Sequence, residues 1–261
     1  MDAAQILLVG GGAFLAGGMN AIAGGGTFFS FPALLAAGVP PVMANASNTV
    51  AMWPASLSSA WAYRREVSRH PRWTLLLVLV SLIGGISGSL LLLATSNAAF
   101  SRLVPWLLLV ATSLFAFSGQ ISRAVAAAKA KVGLGTRAAG TPGGLGGLIF
   151  QTIVAIYGGF FGAGMGILTL AALAIQGVDD MQELNGLKNL TSAVNYTVAA
   201  ATFIVAGAIS WPHTLLMIAT AMAGAFAGAA FARRLPAVWL RRLVVAVGAV
   251  LSLIYFIKTY A

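Results

Sequence analysis

Cysteine is absent from this 261-residue chain, which excludes disulfides and thiolate chemistry and leaves no record of redox compartment in the composition. Carboxylates are nearly as scarce. Asp2, Glu66, Asp179, Asp180 and Glu183 are all there are, and none falls in the middle of an apolar segment. A carboxylate proton relay through a membrane interior therefore has no residues to run on. His70 and His213 lie at segment ends, too few and too far apart for a metal site or a histidine relay. The chain also lacks a Ser-His-Asp arrangement, a His-Glu-x-x-His pair and a phosphate-binding loop. An intramembrane enzyme is left without support, no cofactor or metal is called for, and ATP-derived energy would have to come from another chain.

What is present is apolar. Hydrophobic residues make up 59% of the chain, charged ones 8%, and the mean hydropathy is +0.93, against roughly a quarter charged residues in an ordinary soluble domain. Water-soluble packing is excluded. Apolar segments fall at approximately 6–23, 27–38, 44–63, 74–94, 103–121, 146–163, 166–176, 187–208, 213–232 and 239–258. The first has no basic residues ahead of it and no cleavage site, and reads as structure and not as a signal peptide.

The net charge of +10 is placed in short connections: Arg64, Arg65, Arg69 and Arg72; Arg123, Lys129, Lys131 and Arg137; Arg233, Arg234, Arg241 and Arg242. That placement follows the positive-inside rule and argues against a nucleic-acid partner. It would also enrich anions at the cytoplasmic face within a Debye length of about 8 Å.

The chain repeats itself at an offset of about 140 residues. Thr74-Leu75-Leu76 recurs as Thr214-Leu215-Leu216, Gly84 and Gly88 as Gly224 and Gly228, Arg102-Leu103-Val104 as Arg242-Leu243-Val244, and Asn45 as Asn185. The fold class expected is an all-α polytopic membrane protein forming a single domain over 1–261. Repeat 1 occupies about 1–122, a cytoplasmic linker 123–145, and repeat 2 about 146–261. Each repeat is a broken or re-entrant helix pair followed by three transmembrane helices. The glycine runs at 20–27 and 158–166 mark the breaks, since each glycine costs a helix interior about 1 kcal/mol, and backbone left unwound at membrane depth must be buried or line a watery cavity. If each broken pair enters and leaves on one face, all three arginine loops fall in the cytoplasm, both termini lie outside, and the repeats are inverted. Arg102 and Lys258 are then the exceptions on the far side. Trp61, Trp73, Trp106, Trp211 and Trp239 fall near segment ends, as an interfacial belt would. Trp53 is left open between core packing and cavity lining. The two Gly-x-x-x-Gly faces serve helix packing within one chain or, as the alternative, a homodimer.

Repeats with broken helices hold substrate near the bilayer midplane in transporters. After each broken pair comes a polar cluster, Asn45-Ala46-Ser47-Asn48-Thr49 and Asn185-Gly186-Leu187-Lys188-Asn189-Leu190-Thr191-Ser192. Side-chain amides donate to anion oxygens, and helix N-termini favour anions. Two readings stay open: helix capping alone, or capping combined with substrate contact. Lys188 either faces the substrate or snorkels to the interface or to Glu183. Candidate substrate contacts are Asn20, Thr27, Asn45, Ser47, Asn48, Asn185, Lys188, Asn189 and Thr191, with the glycines Gly24, Gly25, Gly26, Gly162, Gly164 and Gly166. Replacing Asn45 or Asn185 by Ala is expected to raise the half-saturating substrate concentration. A coupling ion, Na⁺ or H⁺, is neither demanded nor excluded.

The N-terminal glycine-rich break, the Gly158-Gly159-Phe160-Phe161-Gly162-Ala163-Gly164-Met165-Gly166 run and the Gly224-x-x-x-Gly228…Ala232-Arg233-Arg234-Leu235-Pro236 stretch resemble the sulfite exporter TauE/SafE family over nearly the whole chain. The resemblance implies a permease of the bacterial inner membrane for sulfite, organosulfonates such as sulfoacetate, or related sulfur oxyanions, with contacts at Gly24 to Gly26, Asn45 and Asn48, and at Gly162 to Gly166, Asn185 and Asn189. Its amide-rich clusters and Lys188 depart from the Gly/Ala-Thr-Ser run of many members and point to a different ligand within the family. The expected function is export of a small sulfur-containing anion by alternating access. The alternatives are a channel-like anion conductor and a membrane subunit of a sulfur-compound transfer complex.

Overall fold

The computed structural model describes residues 1–22, 25–67, 71–132, 145–176, 178, 180–232 and 237–260, and among them there is no strand. In chain order the helices are α1 (Ala3–Ile22), α2 (Thr27–Ala36), α3 (Pro41–Ala62), α4 (Arg64–Val67), α5 (Pro71–Ala94), α6 (Asn97–Val132), α7 (Leu145–Phe160), α8 (Met165–Ile175), α9 (Met181–Val205), α10 (Trp211–Ala232) and α11 (Ala237–Tyr260). The second half replays the first, with α7 and α8 standing for α1 and α2, α9 for α3, α10 for α5 and α11 for α6.

The halves interlock. α1 packs along α10 of the other half, and α7 packs along α5; α3 meets α9 and α6 meets α11; α5 also lies on α9 as α10 lies on α3. The glycines make these crossings close. A Cβ added at Gly224 would fall 1.9 Å from the Phe14 carbonyl oxygen, and one at Gly228 2.7 Å from Gly18 Cα, both on α1. The counterparts Gly84 and Gly88 meet α7 the same way, at 2.5 Å from Ala155 Cβ and 2.1 Å from the Ile156 oxygen. Between apolar segments in lipid there is no hydrophobic drive to associate, so close backbone packing of small residues supplies the attraction. Both Gly-x-x-x-Gly faces are therefore occupied inside one chain.

Lipid-facing and protein-facing surfaces separate cleanly. Leu75, Leu79, Ile83 and Leu90 on α5, Met222 and Phe226 on α10, and Leu253 and Ile257 on α11 are all exposed. Among the described residues α1, α5, α6 and α11 carry stretches long and apolar enough to cross a membrane. The polar helices α3 and α9 lie against one another at the centre, where Asn45, Ser47, Asn48, Thr191 and Asn195 are buried. This is a multi-pass membrane protein.

Several expected boundaries move. α3 begins at Pro41, whose missing N–H suits a first helical turn. α9 begins after Asp180, whose carboxylate accepts from the Gln182 and Glu183 backbone N–H groups at 2.7 and 3.2 Å. The polar clusters thus lie at least one turn inside their helices and cap neither. The breaks are also narrower than the glycine runs. Gly158 and Gly159 remain helical because they serve packing: a Cβ on Gly159 would fall 2.4 Å from the Gly85 oxygen. α6 continues to Val132, so the first part of the expected linker is helix, in keeping with its alanine-rich sequence; residues 133–144 lie outside the described residues. Trp73 is 3% exposed and packs with Leu77, Leu173 and Leu187, so it belongs to the core and not to the aromatic belt. Trp61, Trp106 and Trp211 are exposed, as a belt requires, and the side chain of Trp239 lies outside the described set.

Candidate anion-binding site at two helix breaks

Each half breaks its first helix pair at a glycine that takes up a left-handed backbone. Gly25 has φ 86°, and Gly162 and Gly164 have φ 79° and 77°. An L side chain there would cost about 1–2 kcal/mol, which glycine avoids. α2 starts immediately after the first break, and α8 immediately after the second. Their N-termini line one cavity of about 330 Å³.

Asn20 at the end of α1, Gly25, Gly26 and Thr27 of the first break, Gly162, Gly164 and Gly166 of the second, and Lys188 and Asn189 of α9 all line this cavity. A helix N-terminus leaves backbone N–H groups without intrahelical partners and carries a partial positive charge. Part of this is spent in the turns themselves, since the Phe28, Phe29, Met165 and Ile167 N–H groups donate to the carbonyls of Gly25, Gly26, Gly162 and Gly164; the positive helix ends, two side-chain amides and one ammonium together make a positive chamber. No carboxylate is among its lining residues. A Cβ at Gly166 would lie 3.6 Å from Lys188 Cδ, so the glycine leaves the lysine stem room to run along α8.

The walls are braced. The Tyr157 hydroxyl donates to the Ala163 carbonyl at 2.6 Å, holding the second break in shape, and Thr27 and Tyr196 line the chamber from opposite halves. Ser56 and Ser59 on α3 also line the chamber, but each donates its proton back to its own helix, at 2.7 Å to Trp53 O and 3.0 Å to Ala55 O. Ser59 is exposed close to the end of α3, which puts the mouth of the chamber toward α4 and its arginines. In the other direction Phe31, Phe100, Phe160 and Phe161 pack edge to face, with centroids 5.5–6.4 Å apart. Phe100 lies one turn into α6, about 22 Å along the axis from Phe115, which lines the chamber.

The other expected contacts sit elsewhere. Asn45 is fully buried and donates through Nδ2 to the Phe160 carbonyl at 2.9 Å. The Ser47 hydroxyl accepts from the Ser210 N–H at 2.9 Å, and Asn48 Oδ1 accepts from the Ser30 hydroxyl. These three tie α3 to its neighbours. Thr191 donates back to Leu187 O at 2.8 Å. Asn185 is half-buried on α9 and is not among the residues lining the chamber, and Gly24 lies outside the described residues. Trp53 donates to the Thr197 hydroxyl at 2.9 Å, a link between α3 and α9.

The model of the family described as sulfite exporter TauE/SafE matches residues 9–255, nearly the entire chain. The chain belongs to the TauE/SafE family. Similar proteins include a probable membrane transporter protein of Haemophilus influenzae, 29% identical over 83% of this chain and 80% of the relative. The probable membrane transporter protein ORF9 of a Sinorhizobium species is 26% identical over 92% and 88%. The probable membrane transporter protein YfcA of Escherichia coli is 26% identical over 92% and 85%. No solved structure matches.

In this TauE/SafE chain the chamber also takes in Ser56, Ser59, Tyr196, Phe115, Ile167 and Leu170, which the sequence reading did not single out, while Ser192 lay inside the second polar cluster and Met165 inside the glycine run that it did quote. A signal for part of it was available: Ser192 and Tyr196 continue the helical face of Lys188 and Asn189 at spacings of three and four. Phe115 carried none, because an isolated phenylalanine in an apolar helix looks like any other.

Proposed function

We propose that this TauE/SafE protein exports a small sulfur oxyanion, sulfite or an organosulfonate, across the bacterial inner membrane by alternating access around the chamber at the two breaks. The observation that carries the reading is the convergence of the α2 and α8 N-termini with Asn20, Lys188 and Asn189 on a cavity without carboxylates among its lining residues. An anion leaving water forfeits its hydration, and fixed N–H donors with a net positive field replace it. At about 330 Å³ the chamber has room for a small anion and several waters of about 30 Å³ each. The relatives, described as probable membrane transporter proteins, support the same class. With the basic loops in the cytoplasm, the chamber mouth faces inward, where an exporter must load.

The carrier reading is favoured over a channel by the phenylalanine cluster, since Phe31, Phe100 and Phe161 are at most 2% exposed and fill the interior beyond the breaks. The test is counterflow in proteoliposomes loaded with unlabelled sulfite or sulfoacetate and given the labelled compound outside. Transient accumulation that Lys188→Gln weakens supports carrier and site together. Flux that never overshoots equilibrium points to a pore, and absence of flux across a panel of sulfur oxyanions removes the substrate assignment.

A further inference from the structure

Arg102 and Lys258 stand on the wrong side for the positive-inside rule, and the structure brings them together. Both line a cavity of about 430 Å³ between α2, α6 and α11, along with the hydroxyl-bearing Ser101 and Thr259. The site is built on a fixed wall: the Tyr260 hydroxyl donates to the Arg102 carbonyl at 2.9 Å, Trp106 donates to Tyr260 at 3.2 Å, and the Trp106 ring meets Phe256 edge to face at 4.9 Å. Trp106 and Tyr260 are half-exposed amphipathic aromatics of the kind that settle at headgroup depth.

A second cavity, about 540 Å³ and almost wholly apolar, runs from this one along α1, α2 and α11 past Leu8, Phe29, Pro32, Ala36 and Leu251. The two share Leu35, Tyr255 and Lys258. A cationic, hydroxyl-rich pocket at headgroup depth that opens into an apolar groove along the membrane-facing helices has the shape and polarity of one amphipathic anion. Asp2, at the same end, is engaged as an acceptor for the Gln5 N–H at 2.7 Å.

We infer that this is a binding site for an anionic phospholipid of the leaflet opposite the arginine loops, with its phosphodiester between Arg102 and Lys258 and an acyl chain in the groove. The occupant is argued from charge complementarity, since a basic residue near a headgroup favours an anionic lipid by roughly 1 kcal/mol, and from the continuity of the polar pocket with the groove. The site lies apart from the transport chamber and does not depend on what is transported.

The experiment is native mass spectrometry of the delipidated full-length protein given equal phosphatidylglycerol and phosphatidylethanolamine. The wild type is expected to retain phosphatidylglycerol preferentially, and each of Arg102→Gln and Lys258→Gln to cut the preference about fivefold. Arg64→Gln/Arg65→Gln at the other end should leave it unchanged. Ala36→Trp, which fills the groove without touching a charge, should lower retention of the lipid while monodispersity and helical circular dichroism stay intact. Equal retention of the two lipids by the wild type, or an undiminished preference in both charge variants, would overturn the site. So would displacement by excess glycerol phosphate combined with an indifferent Ala36→Trp variant, which would mean a free-anion pocket.

Discussion

Lys188 and Asn45 look alike as polar residues deep in a membrane helix, yet their surroundings assign them opposite tasks. Lys188 lines a cavity that has no carboxylate among its lining residues. Lys188→Gln keeps the stem and one donor while removing the charge, so the half-saturating concentration of the anion is expected to rise roughly tenfold, about 1.4 kcal/mol of binding, with folding unaffected. Concentration-dependent uptake in proteoliposomes reads this directly. Asn45 hands its amide to the Phe160 carbonyl in a buried setting. Asn45→Ala would leave that oxygen unpaired at a cost of about 1–3 kcal/mol. The expected outcome is a lower thermal midpoint with little change in half-saturation, the reverse of what its place in the repeat suggested.

Among the elements, the two broken pairs depend on glycine for different reasons, and substitutions separate them. At Gly164 a Cβ would find its nearest neighbours at 3.6 Å, ordinary contact, so Gly164→Ala suffers only from its φ of 77°. It should fold and transport poorly, because the chain must leave the left-handed region and turn the α8 N-terminus off the chamber. Gly224→Leu meets a different obstacle: with the Phe14 oxygen 1.9 Å from its Cβ, α1 and α10 must part. Overpacking of this kind costs about 1–3 kcal/mol and more when backbone must move. Loss of the monodisperse peak in size-exclusion chromatography is expected for Gly224→Leu and not for Gly164→Ala.

For the whole molecule, the exchange of partners between halves, α1 on α10 and α7 on α5, means that neither half buries its broken pair alone. In the alternating access proposed above, rocking one half against the other would therefore carry a piece of each along, and the phenylalanine cluster at the far end of α6 is where the closed side would part. The absence of cysteine makes orientation directly testable. Ser96→Cys, in the exposed turn between α5 and α6, should react with an impermeant maleimide in intact cells, and Ala62→Cys, at the exposed end of α3, only after the membrane is opened. The opposite pattern would reverse the orientation and, with it, the direction of loading.

The sequence alone determined the membrane class, the offset repeat and the broken pairs, because hydropathy, offset identity and glycine density are properties of the chain read in one dimension. It also pointed to Asn20, Thr27, Lys188 and Asn189. Only the tertiary structure decided which polar residues share a chamber. Asn48 and Asn189 both follow a broken pair on a polar helix, but Asn48 turns to Ser30 and is used up as an acceptor, while Asn189 turns to the cavity. A helix carries polar residues around its whole circumference, and which arc meets a neighbour and which meets water is fixed by how the other helices are laid against it. The meeting of Arg102 and Lys258 is of the same kind: 156 positions apart in the chain, they line one cavity only because α6 and α11 pack together.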